Sequence, residues 1–196
     1  LDLMNAATSS CERVTATVAY ATGNSPFFDH FLENILFLDF YGLLDEDQAV
    51  AIAVMEKLLN AGPFSARCYL VKGHYHPKVI WWHGFGAYIG SANLTQRAWS
   101  ANVECGVFYE DEEILGTPVQ LQLEMLFDRV RQISKPLDAE LIRDLKQIQV
   151  ASNSVDRERA KPKSKFDEVT KRFPEHGGLT SPSASTKLSL FALEWE

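Results

Sequence analysis

The run Val79-Ile80-Trp81-Trp82-His83-Gly84-Phe85-Gly86-Ala87-Tyr88-Ile89 constrains the fold of this chain more than any other stretch. Four apolar residues, a glycine-punctuated turn and a second short apolar segment describe a β-hairpin with a loop of several residues. A hairpin returns the chain beside itself, so it also fixes which flanking residues become neighbours. His76 and Lys78 lead into its first strand, and Gly90, Ser91 and Asn93 leave its second. Two residues apart on an extended strand, His76 and Lys78 are expected on one face. The hairpin thereby gathers an imidazole, an ammonium, a hydroxyl and an amide at one sheet end. Such groups together supply a nucleophile and fixed donors for the charge of a phosphate diester.

The surrounding pattern alternates strands with helices. Arg13–Tyr20 alternates with β-branched residues, Ile35–Tyr41 is apolar and aromatic, and Ser65–Val71 and Val103–Tyr109 have strand character. Phe27–Asn34 reads as a short helix, and Glu46–Asn60 as a longer one stopped by Gly62-Pro63. Thr95–Ser100 is a short turn or helix. Pro118 opens an amphipathic helix to about Ser134, with Leu121, Leu123, Leu126, Phe127 and Val130 as its core stripe, and another helix spans Asp138 to about Gln149. Strands alternating with helices imply an α/β fold, a mixed β-sheet flanked by helices on both faces. Glu110-Asp111-Glu112-Glu113 is expected at a solvated strand end.

Beyond about Ala151 the composition turns to Asn, Ser, Lys, Arg, Pro and Gly, as in a linker. Residues 1–150 are therefore read as one catalytic domain and 151–196 as a tail or linker. Two readings stay open for it: a segment docking back on the body, with a helical turn or two over Phe166–Phe173, or a connection to a further domain. Leu188–Trp195 alternates like the start of a strand.

Composition limits the function classes. The 196 residues, 46% of them hydrophobic, suffice for one sizeable core. No apolar run reaches bilayer length; Ile35–Leu44 comes nearest and Asp39 interrupts it. No signal peptide is visible, although a chain opening on Leu1 leaves a removed leader open. Cys11, Cys68 and Cys105 are odd in number and widely spaced, which suits reduced, buried thiols in a cytoplasmic protein. Residues 1–150 hold 11 Lys and Arg against 19 Asp and Glu, a balance of −8, whereas residues 151–196 hold 8 against 7. An acidic body attracts nucleic acid poorly, since phosphate contacts supply most of that attraction. A DNA substrate then requires a local basic cleft or delivery by another domain, and the second is favoured.

The spacing of the motif resembles the phospholipase D superfamily, whose signature is His-x-Lys, four residues, Asp, six residues, Gly-Ser/Gly-x-Asn. His76, Lys78, position 83, Gly90, Ser91 and Asn93 match every interval. Position 83 is His where the family usually has Asp, a supporting residue that nuclease members related to restriction enzymes often lack. Eleven residues past Asn93 comes Glu104, where family nucleases carry a Glu that steadies the catalytic His. Gly-Ser-Ala-Asn-Leu-Thr followed by Asn-Val-Glu-Cys-Gly-Val is most similar to the nuclease branch.

The resemblance implies a cofactor-free, metal-independent phosphodiesterase or endonuclease acting on DNA in restriction or defence. In the family two motifs build one active site, with a histidine on each side of the phosphorus. A chain with one motif supplies both by pairing across a two-fold axis, the commonest oligomer symmetry. The expected arrangement is a homodimer in which one His76 forms a phosphohistidine and the other protonates the leaving alcohol. Lys78 and Asn93 would bind the non-bridging oxygens, Ser91 would add a hydroxyl, and Glu104 would accept from the far ring nitrogen of His76. An attached helicase or DNA-recognition domain is a further expected partner.

Two other classes compete, neither of them a nuclease. A phospholipase D or phosphatidyl-transferring enzyme would need a membrane-docking segment, the usual Asp and a second motif. A non-catalytic, dimerising nucleic-acid-binding module would not need an intact His, Lys, Asn and Glu set. A zinc site built from His74, His76, His83 and Glu104 is disfavoured, because Lys78 would aim a cation at the metal.

Overall fold

A computed structural model of the chain describes residues 6–7, 10–28, 37–155 and 168–173. Its centre is a seven-stranded mixed sheet. The strands are β1 (Arg13–Val18), β2 (Phe37–Leu44), β3 (Ala66–Lys72), β4 (Lys78–Trp82), β5 (Gly86–Gly90), β6 (Gly106–Glu110) and the short β7 (Lys135–Pro136), in the order β6-β5-β4-β1-β2-β3-β7. β1, β2 and β3 run parallel, while β4, β5, β6 and β7 each pair antiparallel with their neighbours.

Parallel central strands are covered on both faces, and alternation along each strand divides their side chains between two cores. Val14, Ala16, Leu38, Phe40, Ile80 and Trp82 face one core, which is closed by Met55 and Leu58 of α1 (Ile52–Ala61) and by Leu141, Leu145 and Ile148 of α5 (Ala139–Val155). Tyr41, Leu43, Val79 and Trp81 face the other, closed by Leu123, Phe127 and Val130 of α4 (Pro118–Ile133). Asp39, the charge inside the apolar run of β2, is buried and accepts from Arg13 at 2.9 Å and from Arg67 at 2.7 and 3.0 Å. A buried carboxylate paired in this way is tolerated where an isolated one would not be.

Several elements differ from the sequence expectation, each for a local reason. The helix expected from Glu46 begins at Ile52, because Val50 is drawn into a parallel bridge with Ala21 and the Asp45 carboxylate holds the Ala49 amide at 2.7 Å. The acidic run does begin at a solvated strand end, since Glu110 closes β6, but it does not stop there. After the short α2 (Gln96–Ser100), Asp111–Ile114 forms α3, with Glu110 and Glu113 making a reciprocal capping box at its start. Carboxylates there bond free amides and face the positive end of the helix dipole. β6 begins at Gly106 rather than Val103. On α4 the inward stripe is Leu123, Phe127 and Val130, with Leu121 exposed.

In the tail, Val169 and Phe173 pack into the first core. Lys72 Nζ donates to the Thr170 carbonyl at 3.2 Å, and Arg172 pairs with Asp144 at 2.9 Å. Residues 168–173 thus dock on the body. Of the short helix expected at Phe27–Asn34, Phe27 and Phe28 are helical and buried, and the rest lies outside the described residues, as does Leu188–Trp195. Cys11 and Cys68 are buried thiols, but Cys105 is exposed, since it precedes the edge strand β6.

Candidate active site

Register decides which loops meet. Lys78 opens β4 opposite Val18, the last residue of β1, and Val79 pairs with Ile89 of β5. Gly90 pairs with Gly106, so the chain leaving β5 and the chain entering β6 lie together at this same sheet end. The Ala19 amide donates to the Pro77 carbonyl at 3.2 Å, and the Leu94 amide to the Tyr20 carbonyl at 3.0 Å. Four loops therefore converge, carrying Tyr20, His76, Ser91 with Asn93, and Glu104.

His76 does not share the strand with Lys78 as expected; it lies in the extended loop just before β4, exposed. The two side chains nevertheless meet, with Lys78 Nζ 2.8 Å from His76 Nδ1 and 3.3 Å from Nε2. An ammonium donates only to a ring nitrogen that carries no proton, so a charged Lys78 is aimed here at an imidazole lone pair. Lys78 is buried, and desolvation pulls its pKa below the ordinary lysine value while the nearby Glu104 carboxylate pulls it back up. Tyr20 meets the His76 ring edge-on, with centroids 5.8 Å apart. Nothing in the sequence marked Tyr20, because the bridge of Ala21 to Leu94 and Val50 that carries it here joins distant segments.

Ser91 and Glu104 form the other half of the site. The Ser91 hydroxyl donates to Glu104 Oε2 at 2.5 Å and accepts from the Cys105 amide at 2.9 Å. Asn102 Nδ2 donates to Glu104 Oε1 at 3.1 Å. These bonds from Ser91 and Asn102, with the charge of Lys78, hold the Glu104 carboxyl below its ordinary pKa. In the single chain the bond expected from His76 to Glu104 is thus replaced by bonds from Ser91 and Asn102. The reason is topological: Glu104 enters β6, whose partner is the strand that Ser91 leaves. The Ser91 proton is already committed, so donation to a phosphate requires the bond to Glu104 to break. Asn93 is half-buried, and its side-chain oxygen is buried without a partner among the described residues.

His83 lies at the opposite end of β4, about 16 Å from Lys78 at strand rise. Thr15 Oγ1 is 2.8 Å from its Nε2, and its ring stacks on Trp81 at 4.3 Å. Burial, reinforced by Arg13, lowers its pKa to about 4 against the opposing pull of Asp111 and Asp39. It borders a cavity of about 470 Å³ beneath α4 with Arg13, Phe127 and Arg131. His83 is therefore a supporting turn residue, and His74, His76, His83 and Glu104 do not converge; among the described residues no group of three or more such side chains is placed to hold a metal ion.

The fold is shared with solved structures. Nuc from Salmonella typhimurium, described as a phospholipase D family member, superposes with a TM-score of 0.57 at 19% identity, over 70% of this chain and 89% of that one. NucT from Helicobacter pylori gives 0.53 at 14% identity over 69% and 89%. Phosphatidylserine synthase from Haemophilus influenzae Rd KW20 gives 0.54 at 18% identity over 83% of this chain but 43% of that one. No curated protein matches the chain in sequence. A family model described as "Cardiolipin synthase, PLD-like domain" matches residues 42–130, the span that holds the hairpin and all five site residues. That match, the motif intervals and the shared mixed-sheet fold agree on what this chain is similar to, the phospholipase D superfamily.

Proposed function

We propose that the protein is a metal-independent phosphodiesterase that cleaves DNA as a homodimer through a phosphohistidine intermediate. The observation that supports this reading most directly is the 2.8 Å contact of the buried Lys78 Nζ with the His76 ring. A phosphodiester entering the site competes for that ammonium. As Lys78 turns to a non-bridging oxygen, the imidazole lone pair is released to attack phosphorus. The N–P bond forms as the P–O bond to the leaving alkoxide breaks, and the alkoxide takes a proton from His76 of the second copy, which enters this step as the imidazolium and leaves it neutral. That second imidazole then removes a proton from water, whose oxygen displaces His76 from phosphorus and regenerates the site. The Lys78 and Asn93 side chains of both copies stabilise the charge on the five-coordinate phosphorus. Glu104, ionised and tied to Ser91, orients the site loops in this scheme and counters the charge of Lys78.

Phosphatidyl transfer uses the same chemistry, and the structural likeness to phosphatidylserine synthase makes it the second reading. Among the described residues no helix is long and apolar enough to cross a membrane. The test is incubation with supercoiled plasmid DNA and, separately, with phosphatidylcholine vesicles, both in excess EDTA. Nicked or linear DNA with intact lipid is the expected result. Lipid turnover with intact DNA reassigns the substrate, and DNA cleavage that EDTA abolishes and zinc restores overturns the mechanism. A folded protein that binds DNA and turns over neither substrate is a binding module instead.

A further inference from the structure

Two aromatic side chains grip the backbone on either side of Asn93. The Ala92 amide donates to the Tyr88 hydroxyl at 3.1 Å, and that hydroxyl is 3.4 Å from the Cys105 carbonyl, its acceptor. Trp99 Nε1 donates to the Asn93 carbonyl at 2.9 Å. The two rings pack together, with centroids 5.8 Å apart. The Cys105 carbonyl also accepts from the Ser91 amide at 2.8 Å, so Tyr88 stitches the loop after β5 to the loop before β6.

This arrangement depends on two glycines. Gly90 and Gly106 are cross-strand partners, and Tyr88 occupies the space where their side chains would be. A Cβ on Gly90 would lie 2.3 Å from the Tyr88 hydroxyl oxygen, and one on Gly106 would lie 2.3 Å from its ring. Desolvation pushes the Tyr88 phenol above its ordinary pKa, which keeps its proton on the oxygen. At Asn93, by contrast, the buried side-chain oxygen has no partner among the described residues. Its orientation is inherited from the backbone that Tyr88 and Trp99 hold.

We propose that Tyr88 and Trp99 form a clamp that sets the direction of the Asn93 amide, making them positioning residues for the phosphate site. The clamp rests on the reading that Asn93 contacts a phosphate oxygen. Displacement of a reacting or stabilising group by about 1 Å costs on the order of 10²-fold in rate, so loss of one anchoring bond has a measurable effect on turnover.

Tyr88→Phe and Trp99→Phe keep an aromatic ring; the first deletes both bonds of the Tyr88 hydroxyl, the second the bond to the Asn93 carbonyl. On DNA, each variant is expected to lower kcat about tenfold with KM nearly unchanged, since a group that acts in the transition state is misaimed. In the Asn93→Ala background, Tyr88→Phe should cost less than about twofold, because the group it aims is gone. An undiminished loss in that background overturns the clamp. A second measurement needs no turnover: amide hydrogen exchange by NMR. Deleting a hydrogen bond of ordinary net strength should speed exchange at Ala92 by about 2–10-fold in Tyr88→Phe, with the amides of α4 unchanged. Unchanged exchange at Ala92 overturns the clamp as well. Wild-type protein without phosphodiesterase turnover removes the functional reading alone, and the exchange result still decides whether Tyr88 holds the loop.

Discussion

At the scale of single residues, Lys78 carries the largest electrostatic consequence. Its ammonium is buried, loses solvation for that reason, and is drawn back toward its charged form by Glu104. A cation held so close to His76 is worth far more against an incoming phosphate than an exposed lysine, because the charges it meets there are poorly screened. Lys78→Met keeps the length of the side chain and removes the charge. It is expected to lower kcat by about 10²–10³-fold, the scale of a lost transition-state donor. His76→Ala should abolish turnover while the circular dichroism spectrum stays that of the wild type. A Lys78→Met variant within tenfold of wild-type kcat takes the ammonium out of the phosphate site.

His83 gives a second prediction, about stability. Its pKa falls from the ordinary 6.5 to about 4, chiefly through burial, so the unfolded chain binds the proton more readily between those values. The stabilisation is present in full above pH 6.5 and is lost as pH falls toward 4. Carboxylates titrate in part of the same range, so the comparison is between variants. Glutamine at position 83 can still bond Thr15 and does not titrate. The melting temperature of the wild type should therefore fall more steeply from pH 6.5 to 4 than that of His83→Gln, and parallel profiles would show that His83 is not desolvated in solution. That His76 and Lys78 would lie near the residues leaving β5 was legible, because a hairpin fixes neighbours by counting. Their bonding was not. That Glu104 is engaged by Ser91 and Asn102, and that Tyr20 lies against His76, depends on loops brought together by register across β1, β5 and β6.

At the scale of elements, α4 shows what periodicity can and cannot give. Its start was legible from Pro118, and the structure adds the Thr117 hydroxyl, which accepts from the Val119 amide at 3.2 Å. Which apolar residues face the sheet was less clear, since Leu121, Leu123 and Leu126 all suit a broad stripe. The structure buries Leu123, Phe127 and Val130 and leaves Leu121 at 59% exposure. Phe127 packs near Tyr41 and Trp81 on the sheet, with ring centroids 6.5 and 6.4 Å away. Phe127→Ala should accordingly destabilise the fold by about 3–5 kcal/mol in chemical denaturation. Leu121→Ala, one turn and a half away on the same helix, should stay within about 0.5 kcal/mol of wild type. Equal losses at the two positions would mean that the outer face of α4 is covered in solution. The acidic run before α4 was legible in part, for Glu110 does end β6, while the helix that follows was not. Four carboxylates suggest solvent, and only the reciprocal bonds of Glu110 and Glu113 reveal a helix start.

At the scale of the whole molecule, charge and stoichiometry set the remaining constraints. The α/β class and the mixed sheet were legible from the alternation of strands and helices, whereas the strand order was not, because β1 lies between strands that follow it by both parallel and antiparallel routes. The net charge of −7 opposes DNA in bulk, so any DNA affinity has to be concentrated at a local site or supplied by an attached partner. Stoichiometry bears on the chemistry more directly. In-line displacement at phosphorus needs one imidazole to attack and another to protonate the leaving oxygen, and the sequence contains one His-x-Lys pair, His76 with Lys78. If the second imidazole belongs to a second copy, an active particle needs two intact subunits. Mixing wild-type and His76→Ala chains under conditions that exchange subunits should then reduce activity as the square of the wild-type fraction, to about a quarter in an equal mixture. A self-sufficient subunit would instead retain about half, because each wild-type chain would work whatever its neighbour. The same samples, weighed by light scattering, connect the kinetics to particle mass: a quadratic loss must come with a dimer, and a linear loss in a monomer places the proton donor within one chain.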